Sequence, residues 1–252
     1  MRTLLSPART AAAAISCLAV AILLAAPVRA ESAKQPVLVE LFTSQGCYSC
    51  PPADRLLGRL AAEGDVVALA FHVTYWDRLG WPDPLATEAG TRRQHSYGAT
   101  VSNGRIYTPQ LIVNGQSHAV GSNERVVRAD IARAAREPRP ATPALRWLAD
   151  SRLEVRVPAA MEAAGANIWL ARYDAKRETE ILRGENGGKR LAYHQIVREQ
   201  ASLGPFDGGA ATLVTEVSPG QGTEWGVAVV VQAPGPGRVW GAAILPAPSP
   251  DA

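Results

Sequence analysis

The sequence predicts an α/β fold followed by a mainly-β region, and three observations carry that reading. Two apolar, β-branched runs of strand length, VLVELFTS (37–44) and VVALAFHV (66–73), flank a segment with helical spacing. The stretch FTSQGCYSCPPAD, Phe42 to Asp54, sets a Cys-x-x-Cys and two prolines between the first strand and that helix. Beyond the proline-punctuated EPRPATP (137–143), short strand-like runs replace the alternation of strand and helix.

At the N-terminus, Arg2 and Arg9 precede an apolar run from Ala11 to Ala26, and Val28-Arg29-Ala30 has the small-x-small form of a cleavage site. Residues 1–30 therefore read as a secretory signal peptide, with Glu31 as the mature start. An uncleaved membrane anchor is the rival reading, since the run of sixteen falls just below the roughly 18–20 residues that span a bilayer. Cys17 lies inside the run and leaves with it. The leader holds three arginines and no acid, so 26 basic against 23 acidic groups becomes 23 against 23. A neutral mature chain lacks the basic footprint of a nucleic-acid binder. No later apolar segment is long enough to cross a membrane, so the expected product is periplasmic or secreted, in a compartment that permits disulfides.

The elements follow in order. Pro51 and Pro52 suit only the first turn of a helix, and Leu56, Leu57, Leu60 and Ala61 give it an apolar face until Gly64 and Asp65 end it. HVTYWDRLGWPDP is an irregular aromatic insertion, followed by a helix over roughly 84–98. TPQLIVNG (108–115) is a short strand closed by an Asn-Gly hairpin turn, with HAVGS as its partner. A helix from 123 to 136, with Val126, Val127, Ile131 and Ala135 on one face, completes a domain spanning 31–136. After the linker at 137–143, the runs ALRWL, RLEVRV, NIWLARYD, ATLVTEV, WGVAVVVQ and VWGAAIL predict a small sandwich-like β domain over 144–246, and 247–252 a disordered tail.

Cys47 and Cys50 admit three roles. As a staple they are poor, because so short a loop contributes only about 2 kcal/mol against roughly 3 for fifteen residues. As zinc ligands they lack a second Cys-x-x-Cys or a His-x-x-x-His. Soft thiolates do suit Cu(I), with His72 or His118 as a third ligand, which would make the protein a copper-binding or assembly factor. As a redox pair they sit where a helix dipole favours thiolate, lowering a cysteine from about 8.5 to roughly 3.5–7.5. Cys47 is then the exposed nucleophile and Cys50 resolves the mixed disulfide. An interaction module with vestigial cysteines is a further alternative.

Strand, Cys-x-x-Cys-Pro, helix, strand, helix, then Thr-Pro and a hairpin is similar to the running order of the thioredoxin fold. VELFTSQGCYSCPPAD, HVTYWDRLGWPDP, YTPQLIVNG and RGENGG together resemble a secreted thioredoxin-like family of bacteria and plants, known mainly as a domain of unknown function. The likeness covers nearly the whole mature chain. It implies a thioredoxin-like domain with a helical, aromatic insertion, and a thiol-disulfide oxidoreductase acting on protein thiols or disulfides with a separate redox partner. No cofactor is implied, because the electrons reside on the sulfurs. Cys47 and Cys50 match the redox pair, and Pro109 matches a cis proline packed against the disulfide. Thr108 and Pro109 would offer backbone groups to a substrate, and Glu40 falls near the buried acid that assists the second cysteine. Tyr48-Ser49 stands in place of the Gly-Pro of thioredoxin and supplies no cation. Tyr75, Trp76 and Trp81 either roof the cysteines or fill the core. RGENGGKRLAYHQIVR (183–198) is a Gly-rich loop reaching the other domain, without a phosphate motif, and His194 is structural.

Overall fold

Seven consecutive buried residues form the central strand β1 (Val37–Thr43). It pairs in parallel with the equally buried β2 (Val66–His72), and antiparallel with β3 (Gln110–Val113), which turns back into β4 (Ser117–Val120). Side chains alternate across a strand, so Val37, Val39 and Leu41 share one face with α1 (Pro51–Glu63) and α3 (Glu124–Ala134), while Leu38 and Phe42 point to the other. The continuous apolar run is thus explained by cover on both faces. In this computed structural model the described residues are 35–148, 151–220 and 224–248. The expected signal peptide, Cys17 included, and residues 249–252 of the expected tail lie outside them.

Local chemistry fixes the ends of these elements. Pro51 and Pro52 occupy the first two positions of α1, and Gly64 ends it with φ 77°. α2 (Glu88–Thr100) begins later than the expected 84, because Thr87 supplies the cap: its side chain accepts from the Gly90 amide. The preceding aromatic stretch forms a 3-10 turn over Thr74–Leu79. Asn114 and Gly115 both take positive φ, 51° and 68°, the requirement of the tight hairpin turn. In α3, Asn123 caps the start, and Ala134 rather than the expected Ala135 is buried.

The remaining strands are β5 (Ala144–Trp147), β6 (Arg152–Val157), β7 (Ala166–Ile181), β8 (Lys189–Phe206), β9 (Ala211–Glu216), β10 (Trp225–Gln232) and β11 (Val239–Pro246). β8 meets β2 in parallel at Ala70 and Ile196, giving one mixed sheet in the order β11-β10-β7-β8-β2-β1-β3-β4. Among the described residues, only β5, β6 and β9 make a separate sheet. Leu38, Phe42, Val67, Leu69 and Phe71 share a core with Trp169, Tyr173, Val230 and Val239, so the two halves of the large sheet bury apolar surface against each other. The other face of β7 and β10 packs on the small sheet, where Ile168, Val227 and Val229 share a core with Leu153 and Val155.

The expected boundary at 137–143 therefore falls inside one compact unit running from Lys34 to Ala252. The expected linker is held in place. Arg139 is buried and donates to the carbonyls of Gln35, Ala134 and Glu137, and Ala141 sits in the core beneath the small sheet. Ala247, the expected start of the tail, donates its amide to the Trp225 carbonyl. The largest difference is β8: residues 183–188 form the expected Gly-rich turn and reach the Cys motif, but 189–198, expected in the same loop, are strand. Its polar residues alternate poorly because they meet partners from several elements, and its pairing residues on β7 are only visible once the chain has folded.

Candidate functional site

Past Thr43 the chain leaves the sheet and turns through Ser44–Cys50 into α1. Cys47 and Cys50 form a disulfide with a Cα–Cα distance of 5.4 Å, and Cys50 occupies the N-cap of the helix. The Ser49 hydroxyl lies 3.5 Å from Cys47 Sγ. Tyr48 is 67% exposed, yet both cysteines are 0% exposed. The expected exposed Cys47 is therefore not found.

Its cover is the tip of the β7–β8 hairpin. Asn186, itself 0% exposed, donates from Nδ2 to the Gln45 and Cys47 carbonyls, both at 2.9 Å. Glu185 accepts from the Tyr48 amide at 2.9 Å, and Lys189 Nζ lies 4.7 Å from the Tyr48 ring centroid. Gln45 ties the cover together, since its side chain donates to Thr179 on β7 and accepts from the Trp81 indole. Trp76 closes a second side by donating to Thr108 Oγ1 at 2.8 Å. Of the three aromatics, Trp76 and Trp81 thus bind groups around the motif, and Tyr75 and Trp76 pack against the core. The Thr108–Pro109 bond is cis, and a side chain at Gly121 would come within 3.4 Å of the Pro109 ring.

Beneath the motif lies an acid that sequence reasoning passed over. Asp54, in the first turn of α1, accepts from Thr43 Oγ1 at 2.8 Å. Burial pushes its carboxyl up to about 7, against the lowering effects of His72 and the Thr43 hydroxyl. The signal was present, because Asp54 stands three residues before Leu57 and seven before Ala61, within the apolar stripe of the helix. A cavity of about 180 Å³, lined by Pro51, Asp54, Arg55, Arg190 and His194, reaches this carboxyl. His194 itself is held below the usual histidine range by burial and by Lys176.

Next to Asp54, His72 Nδ1 meets Asp83 Oδ2 at 2.7 Å. Asp83 also accepts from the amides of Gln45 and Leu85. Burial opposes its charge, but His72 and these amides overcome it and hold the carboxyl below its ordinary range. His118 instead pairs with the Tyr107 hydroxyl on the far hairpin. Among the described residues, no three His, Cys, Asp or Glu side chains converge as a metal site would require.

Glu40 is placed elsewhere. It points to the face of β1 opposite Leu41 and α1, where Arg93 Nε binds it at 2.5 Å and the Tyr97 hydroxyl donates to it. Arg93 lies over the Trp169 ring at 4.0 Å, and Gln232 completes this buried cluster. The carboxyl on the helix side of the sheet is that of Asp54.

Fold and site together define a mixed α/β protein carrying a covered Cys-x-x-Cys disulfide at the start of a helix. The chain belongs to the family described as protein of unknown function (DUF1223), whose model matches residues 38–232. It is similar to a protein of Agrobacterium tumefaciens of known crystal structure, at 32% identity and a TM-score of 0.72, over 83% of this chain and 93% of that one. HBP35 of Porphyromonas gingivalis shares the fold at 15% identity and a TM-score of 0.57, over 84% of this chain and 75% of that one. No curated protein matches the chain.

Proposed function

We propose that the protein is an exported thiol-disulfide oxidoreductase of the thioredoxin-like class, acting on protein thiols and disulfides together with a separate redox partner. The observation that carries this reading is the Cys47–Cys50 disulfide at the N-terminus of α1, with the buried carboxyl of Asp54 one turn further on. The order β2-β1-β3-β4, with β2 parallel to β1 and the hairpin antiparallel to it, supports the thioredoxin-like assignment. Export rests on the charged and apolar pattern of residues 1–30.

The chemistry balances without a cofactor. A substrate thiolate attacks Cys47 Sγ, a mixed disulfide forms, and Cys50 leaves as a thiolate that takes a proton from Asp54. A second substrate thiolate then attacks the substrate sulfur of the mixed disulfide and releases Cys47. Two electrons pass from substrate to protein, and the substrate leaves with a disulfide. In reverse, the Cys47 thiolate attacks a substrate disulfide, and Asp54 accepts the Cys50 proton as Cys50 displaces the substrate. A carboxyl near 7 is suited to both directions at neutral pH. Thr108, joined to Trp76 beside the motif, is the backbone position offered for substrate alignment.

Trapping tests the proposal. Cys50→Ala leaves Cys47 unable to be displaced from its partner, so reductant-sensitive adducts should accumulate on nonreducing gels. A variant whose Cys47 alkylates readily but collects no adduct would remove the oxidoreductase reading.

A further inference from the structure

Tyr48 and Ser49, between the two cysteines, are open to solvent, whereas both cysteines are buried, and the turn that joins β7 to β8 binds the backbone beside them. Within 182–188 only Asn186 is buried, so the turn is held by polar bonds and hardly at all by apolar packing. Segments of that kind are the cheapest to open. Gly184 and Gly188, at φ 78° and 80°, let the chain reverse tightly enough to present Glu185 and Asn186 together.

The bonds themselves describe an occupant. Along Gln45–Tyr48 the protein offers two carbonyls and then one amide, and the tip answers with two N–H donors from Asn186 and one acceptor from Glu185. The Cys47 carbonyl also accepts from the Cys50 amide, but the Gln45 carbonyl and the Tyr48 amide have no other main-chain partner among the described residues, and such groups are what an extended peptide satisfies when it docks on an exposed backbone edge. A small thiol brings a sulfur and nothing to replace these three bonds. Resting on the oxidoreductase reading, we infer that the β7–β8 tip occupies the docking surface for an extended protein segment, and that such a segment, rather than a small thiol, displaces it to reach Cys47.

The full mature chain in its oxidised form supplies the test. Dithiothreitol delivers two electrons to the Cys47–Cys50 bond and leaves as its cyclic disulfide, and the thiols produced are counted by alkylation and mass measurement. Asn186→Ala, which removes both carbonyl bonds, should raise the dithiothreitol rate by about tenfold or more. Glu185→Ala, an exposed site that spares the fold, should raise it by about threefold. Exchange with reduced, unfolded ribonuclease A should rise by a similar factor in either variant, because every partner displaces the same tip, and in the wild type the unfolded chain should outpace dithiothreitol at equal thiol concentration. Equal dithiothreitol rates in wild type and both variants would overturn the role of the tip while leaving the oxidoreductase reading intact. No exchange with the unfolded chain in any form would overturn the partner and the oxidoreductase reading together.

Discussion

Thr43 donates its hydroxyl hydrogen to Asp54 at 2.8 Å, joining the last residue of the central strand to the first turn of the helix that carries the disulfide. Neither residue reaches solvent freely, and the carboxyl gains its proton near pH 7.

A stability signature follows from that carboxyl. Its folded value of about 7 lies above the ordinary 3.8, so the folded chain holds the proton over a range where the unfolded chain has released it. The contribution is complete below about pH 4 and is lost as the pH rises through 7, by at most about 4 kcal/mol. Asp54→Asn removes this dependence. Denaturant midpoints should show the variant gaining on wild type between pH 4 and pH 8, and parallel profiles would contradict the assignment.

The same substitution should slow chemistry without blocking attack at Cys47. A lost general acid or base costs typically 100-fold or more. Stopped-flow measurement of mixed-disulfide resolution should show that loss, together with disappearance of the inflection near pH 7, while the first alkylation of reduced Cys47 stays unchanged.

Glu40 should behave as a structural residue. Glu40→Ala strands Arg93 against Trp169 with no counter-charge, a change that costs about 3–5 kcal/mol. Urea unfolding should register the loss at every pH between 5 and 8, and the resolution rate should hold. A variant of normal stability with slow resolution would restore Glu40 to the chemistry.

Gly115 tests whether the two halves fold as one. A Cβ there would lie 2.0 Å from the Gly237 carbonyl oxygen, and the residue already has φ 68°. Gly115→Ala should therefore cost about 2 kcal/mol or more, and both halves should lose it in a single transition. Far-UV dichroism and the fluorescence of Trp169 and Trp225 would follow it, and separate midpoints would speak for independent domains.

Much of the fold near the cysteines was readable because its signals are local. The β1 and β2 runs, the prolines of α1, the Asn-Gly turn and the Asn123 cap each act within a few residues. Thr87 also acts locally, but a proline-rich approach disguised where α2 starts. β8 was obscured because its defining contact, Ala70 with Ile196, joins distant parts of the chain. Asn186 and Cys47 are 139 residues apart, so no spacing rule links the cover to the disulfide. Glu40 and Asp54 are both acids close to the motif in sequence, and only the alternation of β1 against α1 separates their roles.

That separation of 139 residues also sets an order of events during synthesis. At about 5–20 residues per second, the ribosome needs roughly 7–28 s to lengthen the chain from Cys47 to Asn186. Through that interval the two thiols have no roof, and any enzyme that oxidises nascent chains meets them bare. The turn that binds beside them arrives only with the late strands.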